Sequence, residues 1–127
     1  MKKTTIIPAF QDERGKISDI FYKVKIDHIG VIDSVKGSIR GNHYHQQSIQ
    51  HTYITKGKME YWYKKLDSDE EAKCVILNEY DMATSEPGEI HAMRMLEDNQ
   101  FIVFTEGIRG GFDYDKDTFK VPSIIPE

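Results

Sequence analysis

Along most of this chain apolar and polar residues alternate with a period of two, and that alternation restricts the possible folds more than any other feature. The clearest run sets Met59, Tyr61 and Tyr63 on one face and Glu60, Trp62 and Lys64 on the other. Shorter runs, crowded with β-branched and aromatic residues, occupy positions 17–22, 30–35, 49–55, 74–77, 90–96 and 101–105. Turn formers separate them, among them Lys36-Gly37, Lys56-Gly57-Lys58 and Glu86-Pro87-Gly88. No segment sustains a 3.6-residue period. Many short strands at even spacing predict an all-β barrel or sandwich. With 127 residues and no internal repeat, linker or low-complexity tract, the chain reads as one domain, 1–127. Lys56-Gly57-Lys58 predicts a β-hairpin. The acidic Asp67-Ser68-Asp69-Glu70-Glu71 predicts a solvated loop between two strands. The stretch from Asp113 onward predicts a helical turn or an edge strand, kept irregular at its end by Pro122 and Pro126.

Chemistry concentrates in one frame: Gly37, five residues, His43, one residue, His45, four residues, Gln50, six residues, Gly57. Histidines at i and i+2 on a strand point to the same face, which sets two imidazoles side by side. The flanking glycines predict tight turns into and out of this stretch. A further histidine, His91, lies just beyond the turn at 86–88. In a barrel it would share the inward face with Met93 and Met95 and bring a third imidazole to the same cavity. On the intervening strand Gln50, Thr52 and Ile54 share one face and His51, Tyr53 and Thr55 the other. Gln50 and His51 therefore cannot both point inward without a bulge. His28 and His51 are assigned structural or surface roles, and Tyr61, Trp62 and Tyr63 the barrel wall.

Composition excludes several classes. The formal charge is -4, with 39% hydrophobic and 30% charged residues, and no basic run marks a nucleic-acid or anionic-membrane partner. The start lacks the continuous apolar block of a signal peptide or membrane span. Cys74 is the only cysteine, which rules out an intrachain disulfide and a multi-cysteine zinc site. The default location is cytoplasmic.

The frame resembles the first motif of the cupin superfamily, G-x5-H-x-H-x3,4-E-x6-G, with Gln50 standing where that family has glutamate. The second motif, G-x5-P-x-G-x2-H-x3-N, is matched by Gly88 and His91. Pro87 sits one place late, the first glycine is missing around Tyr80 and Asp81, and Met95 replaces the asparagine. The resemblance implies a small jelly-roll barrel, a double-stranded β-helix, with the histidines inside. Asp12-Glu13-Arg14-Gly15 resembles the opening of nucleotide-sugar epimerases and ketoisomerases. Arg40-Gly41-Asn42-His43-Tyr44-His45 resembles a strand of dTDP-4-keto-6-deoxyhexose 3,4-ketoisomerases, which also tend to carry the glutamine and work without metal. It is similar as well to the C-terminal cupin of capsule-sugar reductases, which binds zinc and keeps the glutamate, and in part to dTDP-4-dehydrorhamnose 3,5-epimerase. Residues 114–120 are similar to the acidic-aromatic C-terminal segment of the ketoisomerases. The His–Asp dyad of the 3,5-epimerases has no recognisable aspartate here, and the ketoisomerases generally lack a counterpart of His91.

The resemblance implies an isomerase or epimerase acting on a nucleotide-linked 4-keto-deoxysugar in surface-polysaccharide biosynthesis. A 4-keto group acidifies the neighbouring C–H bonds, and an imidazole with an unperturbed pKa of ~6.5 can take and return such protons near neutral pH. His43 and His45 are the proton-transfer candidates, and Arg40 the group for phosphate or the enediolate oxygen. Arg14, Gln50 and Tyr114 are the substrate-binding candidates, Arg14 and Tyr114 by resemblance alone. No cofactor is required for this reading. The same residues also support a metal site, with His43, His45 and His91 as nitrogen ligands and Gln50 as a weak oxygen donor for zinc, nickel, copper or iron(II). Two alternatives stay open: a metal-dependent cupin of another reaction type, dioxygenase-like, and a non-catalytic sugar- or nucleotide-binding cupin. By resemblance the chain is expected to form a homodimer, with residues 4–10 as an exchangeable strand.

Overall fold

The computed structural model describes residues 1–108 and 115–127. Two five-stranded antiparallel sheets face each other. One has the order β1 (Lys2–Thr5), β9 (Asp81–Ser85), β6 (Ile49–Lys56), β11 (Asn99–Glu106), β4 (His28–Ser34). The other runs β12 (Phe119–Lys120), β5 (Ile39–Tyr44), β10 (Glu89–Met95), β7 (Met59–Lys65), β8 (Lys73–Leu77). A small hairpin, β2 (Phe10–Asp12) with β3 (Gly15–Ile17), stands apart from both sheets. No α-helix occurs among the described residues.

From β4 to β11 every connection but one crosses from one sheet to the other. This winding gives the jelly-roll barrel that the alternation predicts. It also corrects one expectation. Lys56-Gly57-Lys58 does not close a hairpin, because β6 pairs with β9 and β11 while β7 pairs with β10 and β8. The turn is a corner between sheets, and Gly57 serves it with φ of 86°. A Cβ there would lie 2.5 Å from the Asp98 carbonyl oxygen, so only glycine lets the two corners approach. The hairpin in this part of the chain is β7–β8, across the acidic loop that starts at Asp67. The expected strand at 17–22 stops at Ile17. Beyond it Phe21 packs edge-on against His51 and Phe104, covering the outer face of the first sheet instead of adding a strand to it.

Between the sheets Ile54, Met59, Leu77, Met95 and Phe101 are fully buried. Each such side chain contributes about 1.5–3 kcal/mol relative to exposure. They fill one part of the barrel, and the histidines occupy another.

Candidate active site

The site begins with a backbone irregularity. On a regular strand Arg40 and His43, three residues apart, would point to opposite faces. Here Gly41 and Asn42 both take positive φ, 88° and 56°. The register against β10 slips at that point: His43 opposes His91, Gly41 opposes Ala92, and Arg40 opposes Met93. The bulge inserts Asn42 and reverses the parity, so that Arg40 and His43 line the same hollow. Gly41 is required because a Cβ would sit 2.7 Å from the His91 carbonyl oxygen. Asn42 holds the C-terminal segment in place: its carbonyl accepts from the Val121 N–H at 2.9 Å and its Oδ1 from the Ile124 N–H at 3.0 Å.

Three imidazoles meet behind the bulge. The His43 ring centroid lies 5.1 Å from that of His45 and 4.6 Å from that of His91, and His45 lies 5.5 Å from His91. One ring nitrogen of each falls within 4.8 Å of the others. His45 and His91 are buried, and His43 is half-buried. His91 stacks on the Tyr61 ring at 6.0 Å, and its Nδ1 lies 3.3 Å from the Ser85 hydroxyl, which also bonds the Tyr61 hydroxyl. Burial, reinforced by the Glu89 carboxylate, raises the Tyr61 hydroxyl well above the usual phenol range, so it stays a neutral donor.

A hollow of about 240 Å³ opens in front of this group, between the sheets. Its polar lining comes from Arg40, His43, Gln50, Thr52 and Lys120, over an apolar floor that includes Met93 and Phe101. Arg40 is held by its Nε bond to Ser34 Oγ at 2.8 Å and by a second bond to the Asp33 carbonyl at 3.1 Å. Lys120 arrives on β12, opposite His43 in register, and Phe119 beside it stacks on Tyr44 at 5.3 Å. Gln50 faces the hollow. His51 faces the other way, its Nδ1 2.8 Å from Thr84 Oγ1 and its Nε2 2.7 Å from Glu106 Oε2.

Thus His43, His45, His91, Gln50 and Arg40 converge on one place. Arg14 does not. It sits on the exposed β2–β3 turn, paired with Asp12 at 2.7 Å, and lines a separate depression. Tyr114 lies outside the described residues.

Among known proteins, the chain matches the polysaccharide biosynthesis C-terminal domain family over residues 10–116. It belongs to that family. No curated protein matches it by sequence. Solved structures do resemble it. One is the dTDP-4-dehydrorhamnose 3,5-epimerase of Sulfolobus tokodaii, with a TM-score of 0.78 and 21% identity, covering 96% of this chain and 76% of that one. Another is the QdtA 3,4-ketoisomerase of Thermoanaerobacterium thermosaccharolyticum, solved as a double mutant with TDP, at 0.78 and 20% identity over 94% and 86%. A third is a 3,4-ketoisomerase of Helicobacter canadensis, at 0.75 and 19% over 91% and 92%. At these identities the likeness establishes the fold, a cupin jelly roll.

Sequence reasoning missed Lys120, Ser85 and Asp117. Lys120 and Asp117 lie in the acidic-aromatic segment near the C-terminus, but nothing in that segment marks which residue turns inward. Ser85 ends a short strand, β9, with no strong alternation of its own.

Proposed function

We propose that this protein is an isomerase or epimerase of a nucleotide-linked 4-keto-deoxysugar, acting in polysaccharide biosynthesis. One observation carries the reading: His43 and Arg40 share one hollow, backed by His45 and His91. The hollow is smaller than the ~300–1,000 Å³ of a typical ligand pocket. It suits the sugar, with the nucleotide lying across the rim. His43, the half-buried member, removes a proton beside the keto group. Arg40, with Lys120, stabilises the negative oxygen of the enediolate that forms. Delivery of a proton to the opposite face of the same carbon, by a group other than His43, completes an epimerisation. Delivery from His43 or His45 to the neighbouring carbon, with the hydroxyl proton passing from the oxygen that becomes the new ketone to the old keto oxygen, completes a keto shift. Gln50 and Thr52 supply hydrogen bonds to sugar hydroxyls. Arg14, on its exposed hairpin, is left to contact nucleotide bound by another copy of the chain.

The test is deuterium entry from solvent into dTDP-4-keto-6-deoxyglucose and its UDP counterpart, followed by NMR. Exchange that vanishes in His43→Ala supports the reading. Tight binding with no exchange would instead make the protein a sugar-nucleotide-binding cupin.

A second reading has its own support. Tetrahedral Zn–N bonds of about 2.0–2.1 Å set ligand nitrogens ~3.4 Å apart, so side-chain closure by up to about 1.4 Å from the 4.8 Å group would set His43, His45 and His91 on one ion. Bound there, zinc, nickel or iron(II) would supply Lewis-acid polarisation of the keto oxygen. Metal analysis of untagged protein, with His91→Ala as control, decides between the two.

We also propose a cytoplasmic homodimer. No helix among the described residues is long and apolar enough to cross a membrane. The outer face of edge strand β4 leaves Ile29 and Val31 61% and 59% exposed, a surface that pairing would cover. In this chain β1 pairs with its own β9, so exchange of residues 4–10 is not needed for closure. Light scattering on wild type and Val31→Lys checks this: a dimer that the charge dissociates is the expected result.

A further inference from the structure

Asp117 is 3% exposed and touches neither the hollow nor the core. Its two ends do separate things. Its carboxylate gathers the bend between β5 and β6. The N–H groups of Gln46 and Ser48 donate to it at 2.9 Å each, that of Gln47 at 3.1 Å, and the Ser48 hydroxyl at 2.8 Å. Burial alone would raise its pKa. The Ser48 hydroxyl and the three N–H groups outweigh that and hold the carboxyl below its usual range. Its main-chain carbonyl meanwhile lies 2.7 Å from His45 Nδ1.

A carbonyl oxygen can only accept, so Nδ1 carries the hydrogen, and in the neutral ring the lone pair resides on Nε2. His45 Nε2 is buried and has no hydrogen-bond partner among the described residues. We infer that Asp117 is a positioning residue: by clamping the 46–48 bend with its carboxylate, it holds its own carbonyl against His45 and fixes that ring in the Nδ1–H tautomer, leaving Nε2 as the basic nitrogen inside the barrel. A ligating or proton-accepting nitrogen needs this form, and neighbours that set a ring's tautomer act at one remove from the chemistry. The effect on turnover rests on the function proposed above, whereas the tautomer does not.

The experiment is long-range proton–nitrogen NMR of histidine-labelled protein, wild type beside Asp117→Asn, Asp117→Ala and Ser48→Ala. Wild-type His45 is expected to show a protonated Nδ1 and a bare Nε2. In Asp117→Ala its signals shift toward an average of the two tautomers, and turnover falls about 10–100-fold with little change in KM. Asp117→Asn, which keeps one acceptor oxygen, falls between, and Ser48→Ala, which removes a single donor, shifts least. A wild-type His45 protonated on Nε2, or already averaging, would overturn the inference even if no variant folds. So would an Asp117→Ala spectrum identical to wild type. If wild type shows the expected tautomer but turns over no keto-sugar, the positioning stands and the proposed reaction falls.

Discussion

His45 and His51 lie six residues apart, are both buried, and stand on opposite sides of the same sheet corner, yet they are built for different work. His51 commits both ring nitrogens, one to Thr84 and one to Glu106, under the Phe21 ring. His45 commits one, to the Asp117 carbonyl, and keeps Nε2 in reserve beside two other imidazoles. A histidine that spends both nitrogens on the protein is a structural cross-link. One that is tethered on a single side has a fixed orientation and a nitrogen left for a proton or an ion. The contrast separates the inner group from the outer without appeal to residue type, since both groups are histidines.

The largest effects should separate the two. His45→Ala, which also strips the Asp117 carbonyl of its partner, should lower turnover and stability alike, whereas His43→Ala is expected to lower turnover by about 10²–10⁴-fold while the melting temperature barely moves. His51→Ala should do the reverse. It strips Thr84 and Glu106 of their partner at a cost of about 1–3 kcal/mol, and leaves kcat within a few-fold. Paired kinetics and thermal melts on the three variants are the check. Full activity in His43→Ala, or a dead but stable His51→Ala, would erase the distinction between inner and outer histidines.

That contrast is legible in the sequence only in part. The alternation along 49–55 places Gln50 inside and His51 outside, because a strand's period depends on local geometry alone. The His43–His45 pair and its glycine frame can be read for the same reason. Arg40 cannot be placed by parity, since its direction depends on the bulge, and the bulge depends on β10 lying across Gly41. The Lys56-Gly57-Lys58 turn looks like a hairpin because the residues of a corner and of a hairpin are alike; only the partner strands distinguish them. Asp117 is hidden for a related reason. It lies 72 residues from the ring it contacts, and one aspartate in an acidic stretch resembles the next.

Gly41→Ala probes the inner group from the backbone side. A methyl group would press on the His91 carbonyl at 2.7 Å, with φ at 88°. The left-handed conformation alone costs a residue with a side chain about 1–3 kcal/mol. The chain can relieve this by losing the bulge, which would turn Arg40 away from the hollow. The expected result is a destabilised protein whose remaining folded fraction has lost substrate affinity. Arg40→Lys isolates the side-chain part: it gives up the fixed fork on Ser34 and Asp33, and about a tenfold loss in kcat/KM with unchanged stability is expected. A crystal structure of Gly41→Ala that retained the bulge, together with normal KM, would show that the irregularity is not what directs Arg40.

The smallest effect is the pH dependence of stability that Asp117 confers, and its sign is fixed. A carboxylate whose folded pKa lies below its unfolded value, ~3.9, stabilises the fold fully above that value. The stabilisation is lost as pH falls through the folded pKa. Protonation then leaves the N–H groups of Gln46, Gln47 and Ser48 facing a neutral acid and loosens the bend that carries His45. Wild type should therefore lose stability below pH ~4 more steeply than Asp117→Asn, which has no proton to gain, and the two denaturation curves should converge at low pH. The outer histidine gives the control, because the bonds of His51 to Thr84 and Glu106 involve no part of this bend. In Asp117→Asn the NMR signals of His51 should hold while those of His45 move. If both move together, the inner and outer groups form one cooperative unit, and the division of labour between the two faces does not exist.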